Sequence, residues 1–120
     1  MRMRYHFSLL MSLALALAAC ATTAPSRPIT GRTVPSNEAF TGSFKGSVRS
    51  DASVILSNAG GVACTGNYSS VSVGSYSSGL GTLDLTCDDG RSANVLMHEN
   101  DKGKLFGVGQ LGKDTLIIEE

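Results

Sequence analysis

The sequence predicts an all-β domain, a small antiparallel meander closed into a barrel or packed as a sandwich. Three observations predict it. Apolar residues from position 38 onward recur every second residue rather than at helical spacing. Strong turn formers interrupt that alternation at short, near-regular intervals. All three prolines of the 120-residue chain, Pro25, Pro28 and Pro35, precede Glu38, so nothing downstream lacks a backbone donor for a sheet ladder.

The elements follow in order. Phe40, Gly42 and Phe44 share one face, with Thr41, Ser43 and Lys45 on the other. Val62, Cys64, Gly66 and Tyr68 share a face, and so do Val71 and Val73. Leu83, Leu85 and Cys87 alternate with Thr82, Asp84 and Thr86; Ala93, Val95 and Met97 alternate with Asn94, Leu96 and His98. One apolar face per strand is the mark of a half-buried antiparallel sheet. The predicted turns are Asn58-Ala59-Gly60-Gly61, Ser77-Ser78-Gly79, Asp88-Asp89-Gly90 and Asn100-Asp101-Lys102-Gly103. Arg91 to Glu99 carries enough good helix formers for a helical turn to compete with a strand. Leu116-Ile117-Ile118 reads as a strand buried on both faces or covered at an edge.

A faint repeat links Gly79-Leu80-Gly81-Thr82-Leu83 to Gly107-Val108-Gly109-Gln110-Leu111. It predicts equivalent strands in which glycine permits a bend or a close approach. The stretch from Gly79 to Gly90 is also similar to a MORN repeat in its GxG and Asp-Gly turn. It departs from that pattern in spacing, in lacking the usual aromatics and in not recurring.

Upstream, Arg2 and Arg4 form a basic n-region, and Phe7 to Ala19 is an apolar stretch broken only by Ser8 and Ser12. It is shorter than the roughly 20 residues a membrane-spanning helix needs, which predicts a signal peptide over residues 1–19. Leu17-Ala18-Ala19-Cys20 then resembles the lipobox of bacterial lipoproteins. That resemblance implies cleavage before Cys20, acylation of its thiol and usually of its new amino group. Two or three acyl chains exceed the two signals that stable anchoring requires. Ala21 stands where the inner-membrane retention rule of enteric lipoproteins has Asp, so the resemblance implies the outer membrane. Residues 20–37, with ATTAPSRPITGRTVPSN after the cysteine, read as a lipidated N-terminus and Pro-rich tether with a reach of roughly 50 Å. The β-domain is then residues 38–120.

Removing residues 1–19 leaves 101 residues with eight basic and ten acidic side chains. That balance gives no electrostatic footprint for nucleic acid and no polybasic membrane patch. Twenty-three of those residues are Leu, Ile, Val or Phe, just above the roughly 20% below which chains stay disordered. A core of that size benefits from a covalent staple. With Cys20 acylated, Cys64 and Cys87 are the remaining pair, both on apolar faces, and an oxidising envelope favours their disulfide. Closing that loop contributes about 3 kcal/mol in the chain-entropy account.

Catalytic, metal and cofactor patterns do not assemble. Gly107 to Gly112 spells GxGxxG, but too few residues follow for the helix and acidic residue of a dinucleotide site. Past the signal peptide His98 is the one histidine; with Glu99 and Asp101 it offers a weak cation contact, and a strand-end histidine beside a solvated turn is the stronger reading. Asp84, Asp88 and Asp89 lack the order of an EF-hand loop, and Asp-Asp-Gly is a hairpin turn. No G-x-S-x-G elbow occurs. The sequence therefore predicts a non-enzymatic module without cofactor or metal. It would be held to the membrane by its N-terminal lipid, face the periplasm and meet an envelope protein partner. The alternatives are a protease inhibitor presenting a loop from Ser69 to Ser78, or a carrier of a small lipid-like ligand in an apolar cavity.

Overall fold

The computed structural model describes residues 25–73 and 76–120, without the side chains of 73 and 76–78. The expected lipidation at Cys20 and the 1–19 segment lie outside the described residues. Eight strands follow one another: β1 (Ser26–Val34), β2 (Ala39–Gly46), β3 (Asp51–Asn58), β4 (Ala63–Val73), β5 (Tyr76–Cys87), β6 (Ser92–Glu99), β7 (Leu105–Leu111) and β8 (Asp114–Glu119). Each pairs antiparallel with the next, and β1 pairs with β8 to close the barrel. The fold is thus the barrel and not the sandwich.

The alternation decides what faces inward. Phe40, Phe44, Val54, Leu56, Leu83, Leu85, Val95, Met97, Leu116 and Ile118 are buried in one core. Each such side chain stabilises the fold by ~1.5–3 kcal/mol relative to exposure. An eight-stranded barrel is just wide enough for inward side chains to fill it. Tyr68 shows how closely: its ring meets Phe44 edge-on at 5.3 Å, and its hydroxyl donates to the Val48 carbonyl at 2.6 Å. Both copies of the repeat fall on strands, β5 and β7, but not at equivalent levels: Gly81 and Gly107, not Gly109, stand opposite Met97. Gly81 lies beneath the Tyr68 ring, and a Cβ at Gly109 would stand 2.9 Å from the Val95 Cα, so neither site admits a side chain.

The boundary at residue 38 is corrected. Residues 26–34 are the first strand of the barrel, pairing with β2 through Ser26–Arg32 and with β8 through Thr30–Val34. Pro28 is tolerated because it precedes the β8 pairing, on a stretch with one open edge. The inward positions here are Ile29, Gly31 and Thr33, only one of them strongly apolar. Residues 26–34 of the expected tether thus belong to the barrel. Ser77-Ser78-Gly79 is not a turn but part of β5, with Ser77 opposite Ser72, so the expected Ser69–Ser78 loop is two arms of a hairpin. Arg91–Glu99 resolves in favour of strand over Ser92–Glu99. In β8, Leu116 and Ile118 are buried while Ile117 reaches the outer surface.

The meander gives the barrel two unlike ends. The near end holds the start of β1, the end of β4, the start of β5, the end of β8 and the turns at 47–50 and 100–104. The far end holds the turns at 35–38, 59–62, 88–91 and 112–113.

Candidate functional site

Both mouths of the barrel are closed by charged side chains at inward positions. At the near end Arg27, two residues before inward Ile29, donates to Glu99 at 3.0 Å and to Glu120 at 2.9 Å. The Arg27 hydrogen bonds hold the Glu120 carboxyl below its ordinary range. At the far end Arg91 forks onto both Glu38 oxygens at 2.7 and 3.0 Å, and Asn58 donates to the same carboxylate. Hydrogen bonding from Arg91 likewise lowers the Glu38 pKa. Between these two ion-pair clusters the described inward positions are packed with buried apolar side chains.

The outer wall is not uniform. Over β2 to β4 it presents Thr41, Ser43, Lys45, Ser53, Ser57, Thr65, Asn67 and Ser69, with Ile55 isolated among them. An apolar interior and polar wall are the reverse of a membrane-spanning barrel. Over β6 to β8 the wall changes character. Leu96 stands opposite Val108, and Val108 opposite Ile117, giving an apolar row across three strands. Leu96 is 52% exposed and Val108 41%. The next row sets Leu80 opposite His98 and His98 opposite Phe106, whose rings meet edge-on at 5.6 Å. Where Ile117 meets β1 and β2 the strip ends in a hollow of about 280 Å³ lined by Arg32, Ala39, Phe40 and Thr41.

The polar candidates separate. His98 and Glu99 are consecutive in β6 and so face opposite sides of the wall: His98 lies against Phe106, and Glu99 is held by Arg27. Asp84 accepts from the Asn94 side chain, Asp88 from the Ala63 amide at 3.2 Å, and Asp89 from the Arg91 amide and Nε. Among the described residues no three His, Cys, Asp or Glu side chains gather as a metal group. The GxGxxG run occupies β7 and the turn after it. Cys64 and Cys87 sit opposite one another on β4 and β5 and are joined as a disulfide.

Sequence reasoning did not single out Arg27 and Arg91. Their signal was the period-two register itself, which carries the inward face one position past Ile29 and Ala93 to each rim. The strip was visible only in part, through Leu96 standing out of phase with Ala93, Val95 and Met97. No family model, no curated protein and no solved structure matches the chain.

Proposed function

We propose that the chain is an outer-membrane lipoprotein anchored through Cys20, whose barrel is a non-catalytic binding module holding an envelope protein against the β6–β8 wall. The observation that carries this reading is the contiguous Leu96–Val108–Ile117 strip on a barrel whose described inward face is packed with apolar side chains. A convex apolar strip suits a macromolecular surface, because a small ligand needs a concave site to bury most of itself. The hollow beside Ile117 continues the strip and offers a recess into which side chains of that partner pack, and such filled pockets are where binding energy concentrates. The lipobox residues Leu17-Ala18-Ala19-Cys20 supply the anchor, and the signal peptide delivers the chain to the compartment in which Cys64 and Cys87 oxidise.

The test is capture from intact cells of anchored wild-type protein beside a Leu96→Asp, Val108→Asp variant. Wild type retains one stoichiometric envelope protein and the variant loses it while keeping its disulfide. Equal retention by both overturns the wall as the contact surface. Cys20→Ser is expected to leave an uncleaved or soluble product, and normal membrane partitioning of that protein would refute the anchor.

A further inference from the structure

The meander fixes which end of the barrel the anchor leaves from. Pro25 sits on the near rim, where its carbonyl accepts from the Gly46 amide at 3.0 Å. Only four residues, Ala21 to Ala24, separate it from Cys20. Five Cα–Cα steps at about 3.3–3.6 Å span about 17 Å at full extension, so an acylated Cys20 keeps the near rim within that distance of the acyl-chain boundary. The far rim is a full strand length further away.

The near rim also carries an element that, among the described residues, runs past the wall. β3 pairs with β4 as far as Ser69, and the turn at 47–50 accompanies it one residue more, through the Ser70 amide on the Ser50 carbonyl. β6 meets β5 from Leu80 onward. Between these limits β4 and β5 pair only with each other, up to Val73 opposite Tyr76. This two-stranded ribbon extends the wall by about 10 Å at about 3.4 Å per residue, with a register shift between Ser70 and Ser72 at its base. Its described apolar side chains, Val71 and Leu80, are 40% and 37% exposed. Serine fills most of the remaining positions, so the ribbon is amphiphilic and short enough to enter a headgroup layer without crossing it.

Charge distinguishes the ends in the same sense. At the near rim Arg27, Arg49, Lys102 and Lys104 balance Asp51, Glu99, Asp101 and Glu120, while at the far rim Arg91 and Lys113 face Glu38, Asp88, Asp89 and Asp114. An anionic leaflet therefore repels the far rim and not the near one.

From the short link, the overhanging ribbon and this polarity, we infer that the barrel is seated end-on upon the bilayer that holds its lipid. The near rim and the base of the β4–β5 ribbon contact the headgroups, and the apolar β6–β8 wall stands sideways, open to a partner. This rests on acylation of Cys20. It makes the membrane a second binding surface of the folded domain as well as the site of its anchor.

The experiment uses the full-length, acylated protein in vesicles of phosphatidylethanolamine and phosphatidylglycerol. An environment-sensitive fluorophore is placed by unnatural amino acid at position 102 on the near end or 113 on the far end, and headgroup-attached quenchers report proximity. Quenching several-fold stronger at 102 than at 113 is expected, and Val71→Asp with Leu80→Asp lowers it toward the value at 113. Equal quenching at the two positions, or stronger quenching at 113, overturns the seating. Quenching at 102 unaffected by the two substitutions overturns the ribbon's part in it. Mass measurement of the same preparation separates the premises. An unacylated Cys20 refutes the anchor and the seating together, whereas acylated protein with equal quenching refutes the seating alone.

Discussion

At the far end of the barrel the Cys64–Cys87 bond ties β4 to β5 beside the Glu38–Arg91 bridge, whereas the near end is held by Arg27, Glu99, Glu120 and the Tyr68 hydroxyl without a covalent link. The side-chain bonds at the far end join Asn58 to Glu38 over 20 residues and Arg91 to Glu38 over 53. At the near end Arg27 reaches Glu120 across 93 residues. The longest-range of these bonds thus lies at the end that lacks a staple, where it must overcome the larger loop entropy, while the β1–β8 ladder closes the barrel through Thr30–Val34 toward the far end. The comparison teaches that the far end should respond to redox conditions and the near end should not, while both ends carry paired carboxylates that should respond to pH.

The largest effect expected is at the staple. Cys64→Ala with Cys87→Ala should cost about 2–4 kcal/mol in urea unfolding, and thiol-blocked wild type should behave alike. An unchanged midpoint would remove the contrast between the ends. Tyr68→Phe should cost about 1–2 kcal/mol, because the buried Val48 carbonyl loses its donor. Amide exchange should then quicken at residues 47–50 and not at 88–91. Arg27→Met should cost less, about 1 kcal/mol or below, since its partners are partly exposed. Its signature is faster exchange at the Leu105 amide, which donates to Glu120.

Acid should act on both ends. Glu38 and Glu120 have carboxyl pKa values lowered in the folded state, so their contribution is fully present above the ordinary carboxyl range and disappears as pH falls through the lowered values. Stability should drop below about pH 4.5, and the slope should be shallower in Arg27→Met. The smallest effect on stability, under about 0.5 kcal/mol, is expected for Val108→Asp on the outer wall.

Much of the barrel was legible because its inward positions are apolar from Phe40 onward, and the staple was legible because two cysteines share that face. β1 was not. Gly31 and Thr33 occupy its inward positions and Pro28 lies within it, so a strand wears the composition of a linker. The hairpin of β4 and β5 was misplaced for a related reason: Ser77, Ser78 and Gly79 are turn formers by propensity, yet cross-strand pairing holds them in β5. The rims and the wall were legible only in fragments. Which strands lie side by side is not written in any one strand, and the Leu96–Val108–Ile117 row exists only once β6, β7 and β8 are neighbours.

The decisive measurement is site-specific photo-crosslinking of the anchored protein in living cells, with the crosslinker at position 108 on the apolar wall or at position 65 on the polar one. A single discrete adduct from 108 and none from 65 is the predicted result. Adducts of equal yield from both positions, or from 65 alone, would contradict a barrel that acts through its β6–β8 wall.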